Sequence, residues 1–178
     1  IAGCDRMSAL TEQLLTLSRL EAGMRDGISA DARLASCVEE VLSELAPANR
    51  RAAADVQTDV PADLHLACGP QLLQSVLRNL IGNALRHGGD GVRVRIVAHR
   101  DGDTDVLEVS DSGPGIPPEH RDDAQQRFHR LDAVSSDGAG LGLAIVARIA
   151  EVCGGTMTLG AGIDGRGLGV RLRLPRRR

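Results

Sequence analysis

Asn79 and Asn83 stand four residues apart in the helical stretch Leu72 to Gly88, and Arg86 and His87 follow on the same side. Two amides interrupting an apolar face need a polar target. Asp111 ends an alternating apolar run and is followed by Gly113 and Gly115 in Asp111-Ser-Gly-Pro-Gly-Ile-Pro117. Such a carboxylate can accept from an exocyclic amine, while the glycines let backbone approach a flat ligand. Gly138-Ala-Gly-Leu-Gly-Leu143 opens onto the helical stretch Ala144 to Val152. Free N–H groups and the helix dipole make that junction a cradle for an anion. Taken singly, each has a plainer reading: asparagines capping neighbouring loops, a D-x-G-x-G turn, a glycine cap. Taken together they describe a nucleotide pocket. The glycine loop is neither a G-x-x-x-x-G-K-[ST] loop nor a dinucleotide fingerprint, which would follow a strand directly.

The elements that must position these residues can be read from periodicity. Residues 5–22 predict an amphipathic helix with Met7, Leu10, Leu14 and Leu17 in 3-4-3 spacing, stopped at Gly23, whose narrow seam suits a coiled coil or helical bundle. A polar hinge follows. A second helix is expected from about Leu34 to Asn49, with Leu34, Val38, Val41, Leu42 and Leu45 on one face. Two short strands, 56–60 and 64–67, flank Pro61, and His65 is expected on a strand surface. A third helix starts near Gly69-Pro70, where proline suits the first turn. Strands are predicted at 92–97 and 106–109, a polar loop over 119–137, and a closing strand pair, 155–159 and 168–174, across a glycine-rich turn. The expected fold class is α+β, a two-layer α/β sandwich with a mixed sheet and helices on one face.

Composition narrows the function classes. With 178 residues there is room for one good core and an appendage, and the single Phe with no Tyr or Trp makes that core aliphatic. A net charge of −3, with every basic residue an arginine, argues against a general grip on nucleic acid, and Arg176-Arg177-Arg178 is expected to be a solvated tail. Cys4, Cys37, Cys68 and Cys153 form no C-x-x-C, so reduced thiols are expected, with neither a zinc site nor a disulfide framework. No apolar run of about 18 residues and no signal-like leader occurs, so a soluble piece of a longer protein is expected.

Four stretches in order resemble the boxes of sensor histidine kinases. Asn79-Leu-Ile-Gly-Asn83-Ala-Leu-Arg-His87 resembles the asparagine box and Asp111-Ser-Gly-Pro-Gly the first glycine box. Arg127-Phe-His-Arg130 resembles the phenylalanine box and Gly138-Ala-Gly-Leu-Gly-Leu-Ala-Ile-Val146 the second glycine box. The similarity covers residues 33–175, the catalytic ATP-binding (HATPase) domain with the Bergerat fold. Leu14-Leu-Thr-Leu-Ser-Arg-Leu-Glu-Ala-Gly23 looks like the end of the second helix of the dimerisation and phosphoacceptor hairpin, which discriminates a histidine kinase from other Bergerat-fold ATPases such as an anti-sigma-type serine kinase; a non-catalytic nucleotide-sensing module is the remaining alternative, separated by nucleotide titration of Asn83→Ala. The implied organisation is hairpin helix over 1–24, hinge over 25–32, catalytic domain over 33–175 and an arginine tail over 176–178.

The resemblance implies ATP and Mg²⁺ as cofactors. Asn83 would ligate the Mg²⁺ that bridges the phosphates, Asn79 would assist or hold the helix face, and Arg86 would reach phosphate. His87 would pack near the adenine or ribose, Asp111 would accept from the adenine N6 amine, and Gly113 and Gly115 would shape the adenine side. Gly138, Gly140, Leu141 and Gly142 would flank the phosphates, and Arg130 would orient the γ-phosphate or the lid. The implied partners are the protein's own phosphoacceptor hairpin and a response-regulator receiver domain, within a homodimeric inner-membrane sensor whose cytoplasmic portion this is. Two departures stand out: Gln125 occupies the place of a first phenylalanine, and His87 that of a commoner Tyr or Phe, so weak ATP affinity is expected. No histidine here has an H-[ED]-x-x-[TN]-P context, so the acceptor is expected ahead of Ile1.

Overall fold

A computed structural model describes residues 32–124 and 141–176. The amphipathic helix expected over 5–22, the Arg127–Arg130 box, and Gly138 and Gly140 lie outside the described residues. In chain order the elements are β1 (Ala32–Arg33), α1 (Leu34–Glu44), α2 (Ala46–Ala52), β2 (Asp55–Asp59), β3 (His65–Leu66) and α3 (Pro70–His87). They continue with β4 (Arg93–Asp101), β5 (Thr104–Asp111), a short α4 (Arg121–Ala124), α5 (Gly142–Val152), β6 (Thr156–Ala161) and β7 (Leu168–Pro175).

The sheet runs β2-β4-β5-β7-β6, with β2 parallel to β4 and every other pair antiparallel. This is the expected mixed-sheet sandwich. Alternation decides the layering: Val94, Ile96, Leu107, Val109, Val170 and Leu172 point into one buried core with Val38 and Val41 of α1, Leu77 and Ile81 of α3, and Ile145 and Ile149 of α5. The opposite sheet face is polar, with Arg171 bonded across the strands to Glu108 at 2.9 Å. Among the described residues the core is filled by aliphatic side chains and three cysteines, with no aromatic ring.

α3 is the central helix. Gly69 caps it in extended conformation and Pro70 occupies its first turn. Its buried side carries Leu73, Val76, Leu77, Leu80, Ile81, Ala84 and Leu85, and Asn79 among them. α1 lies beside it, linked at the rim by Glu44 and Arg78 at 2.7 Å.

Three details differ from the sequence expectation. The helix expected over 34–49 is broken at Leu45, because Pro47 in the first turn of α2 has no N–H for the carbonyl of Ser43. The strand expected over 64–67 shortens to the two residues of β3, which pairs with β1, whereas β2 forms the parallel edge of the main sheet. The β4–β5 hairpin is longer than its apolar core suggested, since the polar residues of 98–105 continue the ladder to a tight Gly102-Asp103 turn, with Gly102 at φ +59°.

The arginine tail also needs correction at its first member. The Arg176 backbone N–H donates to Asp103 O at 2.9 Å, and its guanidinium meets Asp105 Oδ1 at 3.3 Å. Asp105 is 2% exposed, so Arg176 compensates a buried carboxylate. His65 is exposed on β3, as expected.

Candidate nucleotide site

The predicted site residues that fall in the described segments gather along α3 and at its C-terminal end. Asn79 is buried and Asn83 half-buried, one turn apart on the side of the helix that meets the start of α5. Asn79 Nδ2 donates to Ser75 O at 2.8 Å, which fixes the side chain against its own helix. Opposite stands Gly142, the first residue of α5. A Cβ there would lie 3.1 Å from Asn79 Oδ1 and 3.2 Å from Asn83 Nδ2, so glycine at this position lets the helix start close onto both amides. The preceding residue, Leu141, is 1% exposed and anchors that start in the core.

Arg86 is exposed one turn beyond Asn83. Its Nε donates to Gly82 O at 3.1 Å and its Nη2 to Asn83 Oδ1 at 3.2 Å, so guanidinium and amide share one patch. His87 ends the helix, exposed and near enough to Asp111 to favour its charged form.

Asp111 is the last residue of β5. Its Oδ1 accepts from Gly113 N at 2.8 Å and from Leu168 N at 3.2 Å. Burial pushes its carboxyl above the usual range, against the two backbone donors and His87, which pull the other way. The strand's end is pinned by a reciprocal pair: Ser112 N–H donates to Arg93 O at 3.0 Å, and Arg93 N–H to Ser112 Oγ at 2.9 Å. Gly113 sits against the end of α3, where an added Cβ would be 2.8 Å from Gly88 Cα. Gly115, at φ +72°, would collide with Gly167 O if it carried a Cβ. The helix and the Asp111 turn thus touch directly, and the helix and Gly142 touch one to two turns earlier.

Gly88, Gly162, Gly167 and Leu168 also build this corner, and none was singled out from the sequence. The only signal was the density of glycine between β6 and β7, which reads as a turn. Among the described residues no cluster of His, Cys, Asp and Glu suited to hold a metal ion occurs.

A family described as histidine kinase-, DNA gyrase B- and HSP90-like ATPase matches residues 68–178, which include α3, the Asp111 turn and the start of α5. The chain belongs to this ATPase family. Its similarity to individual members is with sensor kinases. It is 39% identical to the sensor protein kinase PmrB of Pseudomonas aeruginosa over 178 residues, covering 97% of this chain and 36% of PmrB. It is 36% identical to the sensor protein QseC of Salmonella typhi over 165 residues, covering 92% of this chain and 36% of QseC. The chain therefore spans about a third of the length of these relatives. Among solved structures, the histidine kinase AdeS of Acinetobacter baumannii superposes with a TM-score of 0.79 at 25% identity, covering 98% of this chain and 81% of that one. Full-length ShkA, solved in complex with AMPPNP, superposes with a TM-score of 0.77 at 26% identity, covering 96% of this chain and 36% of that one. The ATPase domain described here is thus of the sensor histidine kinase type, with an ATP-binding site, and the serine-kinase and sensor-module alternatives are not favoured.

Proposed function

We propose that this domain binds ATP with Mg²⁺ and donates the γ-phosphoryl to a histidine on a dimerisation hairpin, for relay to an aspartate of a response regulator. The observation that carries this reading is the convergence on one helix of two amides with a glycine helix start at one end and a half-buried carboxylate with a glycine turn at the other. That spacing suits a ligand with a flat amine-bearing base and an anionic tail. Asp111 accepts from the adenine amine, with Gly113 and Gly115 beneath the ring and His87 at its edge. Asn79, Asn83 and Arg86 face the phosphates, with Leu141 and Gly142 at the α5 N-terminus; Gly138, Gly140 and Arg130 are assigned to phosphate binding from their sequence motifs alone.

The donor set suits magnesium. Amide oxygens are hard neutral ligands, and the ion otherwise keeps phosphate oxygens and waters, so Asn83 would be its one protein ligand, with Asn79 beside it. When bound, the ion supplies charge neutralisation across the phosphates. Arg86 adds a fixed positive charge at the same patch, and the α5 start adds N–H donors, which together position the phosphoryl group and stabilise developing charge. Residues 33–175 form the catalytic unit in this reading and residues 1–24 the end of the hairpin. The parent protein is a homodimeric inner-membrane sensor with this portion in the cytoplasm.

Mixing the chain with γ-labelled ATP and a matching acceptor hairpin tests the transfer. Label should reach the hairpin, Asn83→Ala should cut its rate at least tenfold, and the chain alone should stay unlabelled. An unlabelled hairpin, under conditions in which the full cytoplasmic portion labels it, contradicts the proposal.

A further inference from the structure

The turn between β6 and β7 belongs to none of the motifs that defined the site, yet it closes around Asp111. Gly167 has φ +70°, and a Cβ on it would overlap the Asp111 carbonyl and stand 2.6 Å from Asp111 Oδ1. Gly162, on the other side of the turn, would likewise overlap the Asp111 carbonyl. Gly162 N–H donates to Gly167 O at 3.3 Å, holding the two sides of the turn together, and Leu168 N–H then reaches Asp111 Oδ1 at 3.2 Å. The obstacles are backbone atoms and a held carboxylate, which cannot swing away as the tip of a long side chain would. The turn therefore fits only without side chains at 162 and 167.

The placement of the hydrogen bonds has a chemical consequence. Both backbone donors, Gly113 N–H and Leu168 N–H, converge on Oδ1. One oxygen is thereby engaged from both sides, the carboxylate plane is fixed, and Oδ2 is left to accept from a ligand. A carboxylate oxygen held in this way distinguishes a base edge that carries an amine from one that does not, because a bond to a charged acceptor is stronger than a neutral one and leaving it unmade is costly.

We infer that Gly167 and the Leu168 N–H are positioning elements for nucleobase selection: they orient Asp111 so that Oδ2 selects a purine with an exocyclic amine at the position adenine carries it. This rests on the nucleotide-site reading above and adds to it the β6–β7 turn as the part that sets specificity.

The test compares two ligands on three variants of the chain by calorimetric titration: a non-hydrolysable ATP analogue and its counterpart with hydrogen in place of the 6-amino group. The wild type should prefer the amine-bearing ligand about tenfold. Gly167→Ala should bring that preference to within twofold of unity while the affinity for the amine-free ligand changes less than threefold. Gly165→Ala supplies the control, since Gly165 has an equally positive φ of +76° but nothing within 4 Å of an added Cβ; it should keep the preference. Leu168→Pro, which deletes the N–H at the first residue of β7, should lose the preference as Gly167→Ala does, and it serves if Gly167→Ala fails to fold by circular dichroism. Equal loss of both ligands, retained preference in Leu168→Pro, or loss of preference in Gly165→Ala overturns the inference. A wild type that binds both ligands without preference overturns it too, with nucleotide binding intact. A wild type that binds neither overturns the nucleotide reading itself.

Discussion

Asp111 sits where burial works against its charge. Burial raises its carboxyl pKa above the 3.8 of an exposed aspartate, with only partial compensation from Gly113, Leu168 and His87. The folded state therefore binds this proton more tightly than the unfolded chain, so the stabilising contribution is complete below the unfolded value and is lost as pH rises through the folded one. Asp111→Asn keeps an oxygen for the two backbone donors and removes the half-buried charge. The variant should melt higher than the wild type at pH 7, and melting curves should converge as the pH falls below the unfolded value. Its affinity for ATP should fall about tenfold, since the amide turns a donor toward the base amine. A binding residue that opposes stability is a functional signature, and the opposite signs on melting and binding are the check.

At the scale of elements, α3 holds the site together and α5 closes it. Ile81 is fully buried beneath the sheet-facing side of α3. Ile81→Ala should lower unfolding free energy by about 2–5 kcal/mol, measured by urea denaturation. Gly142→Ala should do the reverse kind of damage: little change in melting temperature, because alanine suits a helix, but nucleotide binding several-fold weaker, because its Cβ would stand 3.1 Å from Asn79 Oδ1. α3 was legible in the sequence because its eighteen residues carry a strong 3.6-residue period, and the same period exposed Asn79 and Asn83 as interruptions. The break at Leu45 was legible in principle from Pro47 but was masked by an apolar stripe that continues across it. The role of Gly167 was not legible, because its partner Asp111 is more than fifty residues away in sequence and a turn glycine looks the same whether its missing side chain serves φ or a close approach.

For the whole molecule, the aliphatic core accounts for what the cysteines do. Cys37, Cys68 and Cys153 are all free and buried. They are distant in sequence, and the fold brings them together beneath α1, α3 and α5. A hydrogen bond with Cys153, and then burial, push the Cys68 thiol up, and burial pushes up Cys37. Thiols held protonated, as Cys37 and Cys68 are, make poor nucleophiles, and all three cysteines are buried, so they should resist iodoacetamide at pH 8 in the folded protein and react fully in denaturant, as read by mass spectrometry. Spacing alone gave no sign that these three residues would meet. No helix among the described residues is long and apolar enough to cross a membrane.

The site's assembly along α3 makes Mg²⁺-dependent ATP binding the most direct measurement. Titrating a non-hydrolysable ATP analogue into the wild type and into Asn83→Ala, with and without Mg²⁺, should give binding to the wild type that magnesium strengthens at least tenfold. Asn83→Ala should bind weakly and equally under both conditions. Unchanged magnesium-dependent binding in Asn83→Ala would contradict the account.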